Sequence, residues 1–199
     1  MREDWQKHGG ITCGTATTPV ALEGLCRLGL ADEAAAFIRN REFPSIGYMA
    51  ESGATAVWER WDGIRNGRFH PHAMNAFDHI GLATVGEWIL TSLAGIAPEE
   101  NGYDVIRFQP VLDREIGGMR AALKTIHGQV EFEWSFEEDD VRLKAMVPCG
   151  AVGRLVLPNG LGEIRSVSDN KEIAGLSTAD GETVISLEAG QHEFMVRTK

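Results

Sequence analysis

The sequence predicts an α+β chain in two parts, a helical segment followed by an antiparallel β-sandwich, and three observations carry that prediction. Apolar residues recur at helical spacing over Thr17 to Asn40 and again from Pro71 to Leu93. Strict alternation of apolar and polar residues takes over after Pro98, and turn pairs containing glycine then punctuate the chain at short intervals. The pattern changes near Ile96 to Gly102, which divides the chain into a helical domain over 1–97 and a β domain over 98–199.

Val20, Leu22, Leu25, Leu28 and Leu30 mark the first helix, and Pro19 suits its opening turn, where no helical N–H bond is lost. A turn near Gly29 reverses the chain, and Asp32 is the expected cap of a second helix through Ala34, Ala35, Phe37 and Ile38. Two short antiparallel helices on a tight loop are the unit of a helical bundle or an α/α barrel, and the pattern alone does not separate these. From Arg41 to Phe69 the periodicity disappears while glycine and aromatic residues are dense, which suits a functional loop; a linker would lack the tryptophans. Pro71 opens an expected long helix to Leu93, with Met74, Phe77, Leu82, Val85, Trp88 and Ile89 on its apolar side. Asn75 and His79 lie four apart on another side of it.

In the second part, Val130, Phe132, Trp134 and Phe136 alternate with Glu131, Glu133 and Ser135, and Val141, Leu143, Ala145 and Val147 repeat the pattern. The acidic run Glu137 to Asp140 between them is read as a solvated hairpin turn. Further short strands fit Val105 to Phe108, Met119 to Ile126, Gly153 to Leu157, Ile164 to Val167, Thr183 to Leu187 and His192 to Val196. Asn159-Gly160, Asp180-Gly181 and Ala189-Gly190 supply turns, and seven or eight antiparallel strands of this kind make a β-sandwich.

Composition narrows the function. With 199 residues and 43 % apolar content the chain can bury a core, and its net charge of -10 leaves no basic stripe for nucleic acid and little attraction to an anionic membrane. No run approaches the roughly 18 apolar residues of a spanning helix. The N-terminal residues form no secretory core, so a soluble, cytoplasmic chain is expected. Cys13, Cys26 and Cys149 are odd in number and far apart, which speaks against a disulfide framework. The histidines show no metal-ligand spacing and no phosphate loop or nucleophile elbow appears, so no metal and no cofactor are expected.

The chemistry concentrates in Gly53 to Gly63, where Trp58 and Trp61 flank Glu59 and Asp62 follows. Two indoles in four residues need cover from water, and either a sugar ring or the protein core can provide it. A carboxylate between them, Glu59, is placed for general-base work if water is partly excluded, or else is an exposed partner of Arg60. Asp62, Glu51 and Tyr48 are weaker candidates. His79 either meets a ligand hydroxyl or is structural, and Asn75 one turn earlier favours the ligand. The sharp expectation is a sugar-sized hollow bordered by both Glu59 and His79.

Several motifs in order resemble the bacterial α-L-rhamnosidases of glycoside hydrolase family 78: Ser45-Ile46-Gly47-Tyr48-Met49, Glu51-Ser52-Gly53-Ala54-Thr55, Trp58-Glu59-Arg60-Trp61-Asp62, Met74-Asn75 with His79, and Val85-Gly86-Glu87-Trp88. The likeness continues through Ala94-Gly95-Ile96 and Ile106-Arg107-Phe108-Gln109-Pro110. The resemblance implies the last helices of an (α/α)6 barrel followed by a β-sandwich, and inverting release of terminal rhamnose from a glycoside or oligosaccharide. It assigns Glu59 the general base's place and His79 that of a histidine touching the sugar; Trp58 and Asn75 are expected to bind the substrate with His79. The family's general acid lies upstream of the matched part, so the chain is read as a C-terminal piece, inactive alone, whose uncovered barrel helices self-associate. Ile46, Ala56 and Ile80 depart from residues common in the family. Two other readings compete: a non-catalytic carbohydrate-binding or scaffold module with the tryptophans as platform, and a related barrel hydrolase of another sugar.

Overall fold

The computed structural model describes residues 7, 13–71, 73–157, 164–166, 176–177 and 182–197. The expected turns Asn159-Gly160 and Asp180-Gly181 lie outside them. Two compact units emerge, Met1–Trp88 and Ile89–Lys199. The first is helical and looped, the second built on sheets.

In the first unit a helical hairpin forms where the spacing predicts it, from α1 (Thr18–Arg27) and α2 (Ala31–Arg39), with Pro19 in the first turn of α1. The reversal has a definite mechanism. Gly29 takes a left-handed φ of 72°, the Leu30 amide donates back to the Leu25 carbonyl at 2.9 Å, and the Gly29 amide donates to Cys26 O at 3.0 Å. These two bonds satisfy the last carbonyls of α1 while Leu25 and Leu30 bury their side chains together at the corner. Because Leu30 is held this way, it stands at the cap of α2, and Asp32 sits inside the first turn beside Glu33 instead of capping it. Its charge there favours the positive end of the helix without a capping bond.

The region expected to be irregular holds two regular pieces. Helix α3 (Ile46–Glu51) starts at Ser45, whose hydroxyl accepts from the Tyr48 amide at 2.9 Å. Strands β1 (Ile64–Arg65) and β2 (Arg68–Phe69) form a two-residue hairpin through Asn66 and Gly67, with φ values of 51° and 69°. Positive φ at both turn residues matches the right-handed twist of the strands.

The long helix expected over Pro71 to Leu93 is not formed. Among the described residues nothing between Pro71 and His79 is helical; α4 (Ile80–Ala83) and α5 (Val85–Trp88) follow as single turns. The amides and carbonyls of this stretch bond elsewhere: Glu59 N donates to Ala76 O and His79 N to Val57 O, both at 2.9 Å. Residues 57–59 and 76–79 are therefore tied to each other through their backbones, and helical bonding is lost to that pairing.

The second unit opens with a π-helical turn, Ile89–Leu93, and β3 (Ile96–Pro98). Strands β4 (Val105–Phe108), β5 (Gly118–Thr125), β6 (Gly128–Glu137), β7 (Asp140–Val147) and β8 (Val152–Leu157) follow. Then come β9 (Ile164–Ser166), β10 (Leu176–Ser177), β11 (Thr183–Leu187) and β12 (Gly190–Arg197). They form two five-stranded sheets, ordered β10-β11-β8-β4-β3 and β5-β6-β7-β12-β9. The expectation of purely antiparallel strands is corrected at one place, where β4 runs parallel to β8 with Val105 opposite Val152. Parallel neighbours need a long crossover, and here strands β5 to β7 make it.

Alternation correctly marks the buried faces. Val130, Phe132, Trp134, Val141, Leu143 and Val147 from one sheet share a core with Ile106, Phe108, Leu155 and Leu187 from the other. The Trp134 indole N–H donates to Leu93 O at 3.1 Å, so burying that ring leaves no donor unpaired. The acidic run is more than a solvated turn. Glu137 is held by Arg142, whose hydrogen bond keeps the Glu137 carboxyl below the ordinary carboxylate range. Asp140 lies 3.5 Å from Arg197.

Candidate active site

The backbone bonds between segments 57–59 and 76–79 set the geometry of the loop. Glu59 is clasped at both ends of the residue by Ala76: its backbone N–H donates to Ala76 O at 2.9 Å, and its Oε2 accepts from the Ala76 amide at 3.0 Å. These two bonds hold the carboxylate against the neighbouring segment. Next to it, Trp58 turns its side chain inward.

Trp58 is 2 % exposed. Phe77 meets it edge-to-face at 5.4 Å, Phe69 meets Phe77 at 5.3 Å, and Gly63 lies so close that a Cβ there would come within 3.1 Å of the indole. The cover that the indole requires comes from protein, and a stacking platform, which needs an open ring face, is not available at Trp58. Trp61 is half-buried; its N–H donates to Cys13 O at 3.1 Å and its ring meets Phe37 of α2 at 5.9 Å. Trp61 thus anchors the loop to the helical hairpin and Trp58 anchors it to Phe77, so Glu59 sits between two fixed points.

His79 is half-buried, with its amide on Val57 O and its Nδ1 accepting from the Gly81 amide at 3.1 Å. In the neutral ring this leaves the proton on Nε2, a donor for a hydroxyl. The backbone pairing brings the chain at Glu59 and His79 onto neighbouring segments. Asn75 does something the spacing did not suggest. Its side-chain amide donates to Gly63 O at 3.2 Å and to His70 O at 3.3 Å, across the neck that the His70 amide closes on Gly63 O at 2.9 Å. It is a clasp on the β1–β2 hairpin. The Asn75 Oδ1 is buried and has no partner among the described residues.

A further cluster escapes notice in the sequence because its members come from both sides of that hairpin. Arg60 Nε donates to Asp62 Oδ1 at 3.0 Å, and His70 Nε2 lies 3.6 Å from Asp62 Oδ2. Partial burial opposes the charge on Asp62, but the hydrogen bond from Arg60 and the nearby charges of Arg60 and His70 outweigh it and hold the carboxyl below its ordinary value. Arg60 is therefore paired with Asp62, two residues on in the same turn. Tyr48 donates its hydroxyl to Ile64 O at 2.8 Å, and Glu51 pairs with Arg41. Near α5, burial pushes the Cys26 thiol up, against the Trp88 indole N–H beside it. No group of three His, Cys, Asp or Glu side chains among the described residues is placed to hold a metal ion.

Comparison with known proteins gives a consistent picture. The family model described as bacterial alpha-L-rhamnosidase 6 hairpin glycosidase domain matches residues 1–93, and that of the bacterial alpha-L-rhamnosidase C-terminal domain matches residues 95–172. An alpha-L-rhamnosidase of Streptomyces avermitilis is 31% identical over 98% of this chain, and one of Formosa agariphila is 31% identical over 81% of it. The chain spans 18% and 17% of their respective lengths. Among solved structures, the Streptomyces avermitilis alpha-L-rhamnosidase complexed with L-rhamnose superposes with a TM-score of 0.81 at 30% identity, over 98% of this chain and 18% of that one. The enzyme from Dictyoglumus thermophilum also gives 0.81, at 26% identity, over 98% of this chain and 22% of that one.

Proposed function

The chain belongs to the bacterial alpha-L-rhamnosidase family, and we propose that it supplies the water-activating side of an inverting hydrolase that releases terminal α-L-rhamnose from glycosides. On this reading the first unit contributes the last helices of an (α/α)6 barrel and the two sheets form the β-sandwich that follows it in the sequence. Glu59 is the general base. His79 donates from Nε2 to a sugar hydroxyl, while Asn75 and Trp58 act through the loop, one by closing the β1–β2 neck and the other by fixing the strand that carries Glu59.

The observation that supports this most directly is the Glu59–Ala76 clasp. An inverting glycosidase needs a carboxylate that accepts a proton from water while a second carboxylic acid, roughly 6.5–9.5 Å away, protonates the leaving oxygen. A base must be held still, and the backbone amide of Ala76 on one carboxylate oxygen of Glu59 holds it. Water then attacks the anomeric carbon from the face opposite the aglycone, giving its proton to Glu59. The leaving oxygen takes its proton from an acid that the family resemblance puts outside these 199 residues.

Hydrolysis of an aryl α-L-rhamnoside tests the assignment. In a protein of the relatives' full length carrying this sequence, Glu59→Gln is expected to lower kcat by about 10²–10⁴-fold, the usual range for loss of a general base, with KM little changed. Added azide should restore bond cleavage, because it needs no deprotonation, and should give the inverted rhamnosyl azide. A normal kcat in that variant refutes the role of Glu59. Robust turnover by the 199-residue chain, abolished by Glu59→Gln, refutes the missing acid.

A further inference from the structure

The outward face of the β5-β6-β7-β12-β9 sheet carries a row of charges that the reading of Glu59 leaves unused. Register places Arg120 opposite Glu133, Glu133 opposite Lys144, and Lys144 opposite Glu193, so the sign alternates across four strands. The row lines a cavity of about 510 Å³ together with Met146 and Gln191. That volume lies within the roughly 300–1,000 Å³ typical of small-molecule sites.

The pairing within the row is uneven, and the unevenness is informative. At its edges the contacts are close: Arg120 reaches Glu131 at 2.8 Å and Arg142 reaches Glu193 at 2.6 Å. At its centre they are not. The Lys144 ammonium lies 3.9 Å from Glu133 and 3.8 Å from Glu193, both too far for a hydrogen bond. Glu133 has Arg120 only at 4.0 Å. A group filling these gaps must accept from an ammonium and donate to a carboxylate at once. A hydroxyl does both, whereas an anion or a cation does one and meets the like charge next to it. Arg120 and Lys144, with Arg142 held on Glu193, stand against Glu131, Glu133 and Glu193, so three charges of each sign meet here and the net pull on an ion is small. Met146 adds an apolar contact suited to the C–H face of a ring.

We propose that this sheet face binds a neutral glycan, with neighbouring ring hydroxyls seated between Lys144 and the carboxylates of Glu133 and Glu193. The proposal does not depend on the role of Glu59, and one experiment separates the two. The isotope-labelled 199-residue chain is titrated with cellotetraose as a neutral probe, with L-rhamnose, and with a sulfated disaccharide, while its amide spectrum is followed. Cellotetraose should shift the amides of Glu133, Lys144 and Glu193. Lys144→Met should weaken that binding at least about tenfold, a change of about 1.4 kcal/mol, with the remaining spectrum intact. Glu133→Gln provides a second variant if the first disturbs the sheet. Absence of shifts on this face with both neutral sugars, unaltered affinity in both variants, or tighter binding of the sulfated sugar at these amides overturns the proposal. Shifts confined to the loop around Glu59 and His79 overturn it while leaving the hydrolase reading intact.

Discussion

Asp62 shows how one residue's environment becomes a measurable property of the whole. Its carboxyl titrates below the ordinary value because Arg60 and His70 favour the charged form by more than partial burial opposes it. A carboxylate with a lowered folded value stabilises the fold fully above its unfolded pKa of about 4 and loses that contribution as pH falls through the folded value. Asp62→Asn should therefore be less stable than the parent at about pH 7, and the difference in urea midpoint should close as pH falls below about 4. A difference that persists unchanged in acid would mean that Asp62 acts by packing or neutral hydrogen bonding. The sequence marks Asp62 only as one carboxylate in a rich loop, since His70 approaches it across a hairpin. Trp58 teaches the converse. Its pairing with Trp61 is plain in the sequence, yet an indole destined for a sugar and one destined for a core look alike until Phe77 and Gly63 are seen covering it.

Among the elements, what was legible followed burial on one face. Strands β6 and β7 declare themselves because every second residue of each, Val130 to Phe136 and Val141 to Val147, points toward the shared core, and a slip of one residue would turn them all out. The helix expected over Pro71 to Leu93 fails for the opposite reason: Phe77 and Trp88 have helical spacing, but the backbone between Pro71 and His79 is bound to another segment, and long-range pairing leaves no periodic trace. Helix α3 and the β1–β2 hairpin were in plain view as Ser45 ahead of Tyr48 and as Asn66-Gly67, and aromatic density around them hid the signal. The Ser45 cap carries its own test. Ser45 is buried, so Ser45→Ala removes the partner of the Tyr48 amide and should cost about 1 kcal/mol, read as a lower urea midpoint. Faster hydrogen exchange at Tyr48 would locate the loss in α3, and unchanged exchange there would show that the cap is not what holds the helix.

At the level of the whole molecule, the two units bury different cores, and this sets how the chain should respond to damage. The sheets converge on Gly153, where an added Cβ would meet Val147 at 2.8 Å and Leu187 and Phe108 at 3.0 Å each. These neighbours are buried core residues, with nowhere to retreat in a close-packed interior. Gly153→Ala should thus destabilise the second unit by about 1–3 kcal/mol, the usual cost of an overpacked core. Trp134 lies in that core and Trp58 in the core of the helical unit, so near-ultraviolet dichroism of single-tryptophan variants follows each unit during heating. If the units are energetically separate, Gly153→Ala lowers the midpoint reported by Trp134 and leaves that of Trp58 in place. If both midpoints fall together, the chain unfolds as one cooperative body, and the loop bearing Glu59 then draws its rigidity from the sheets as well as from its own hydrogen bonds.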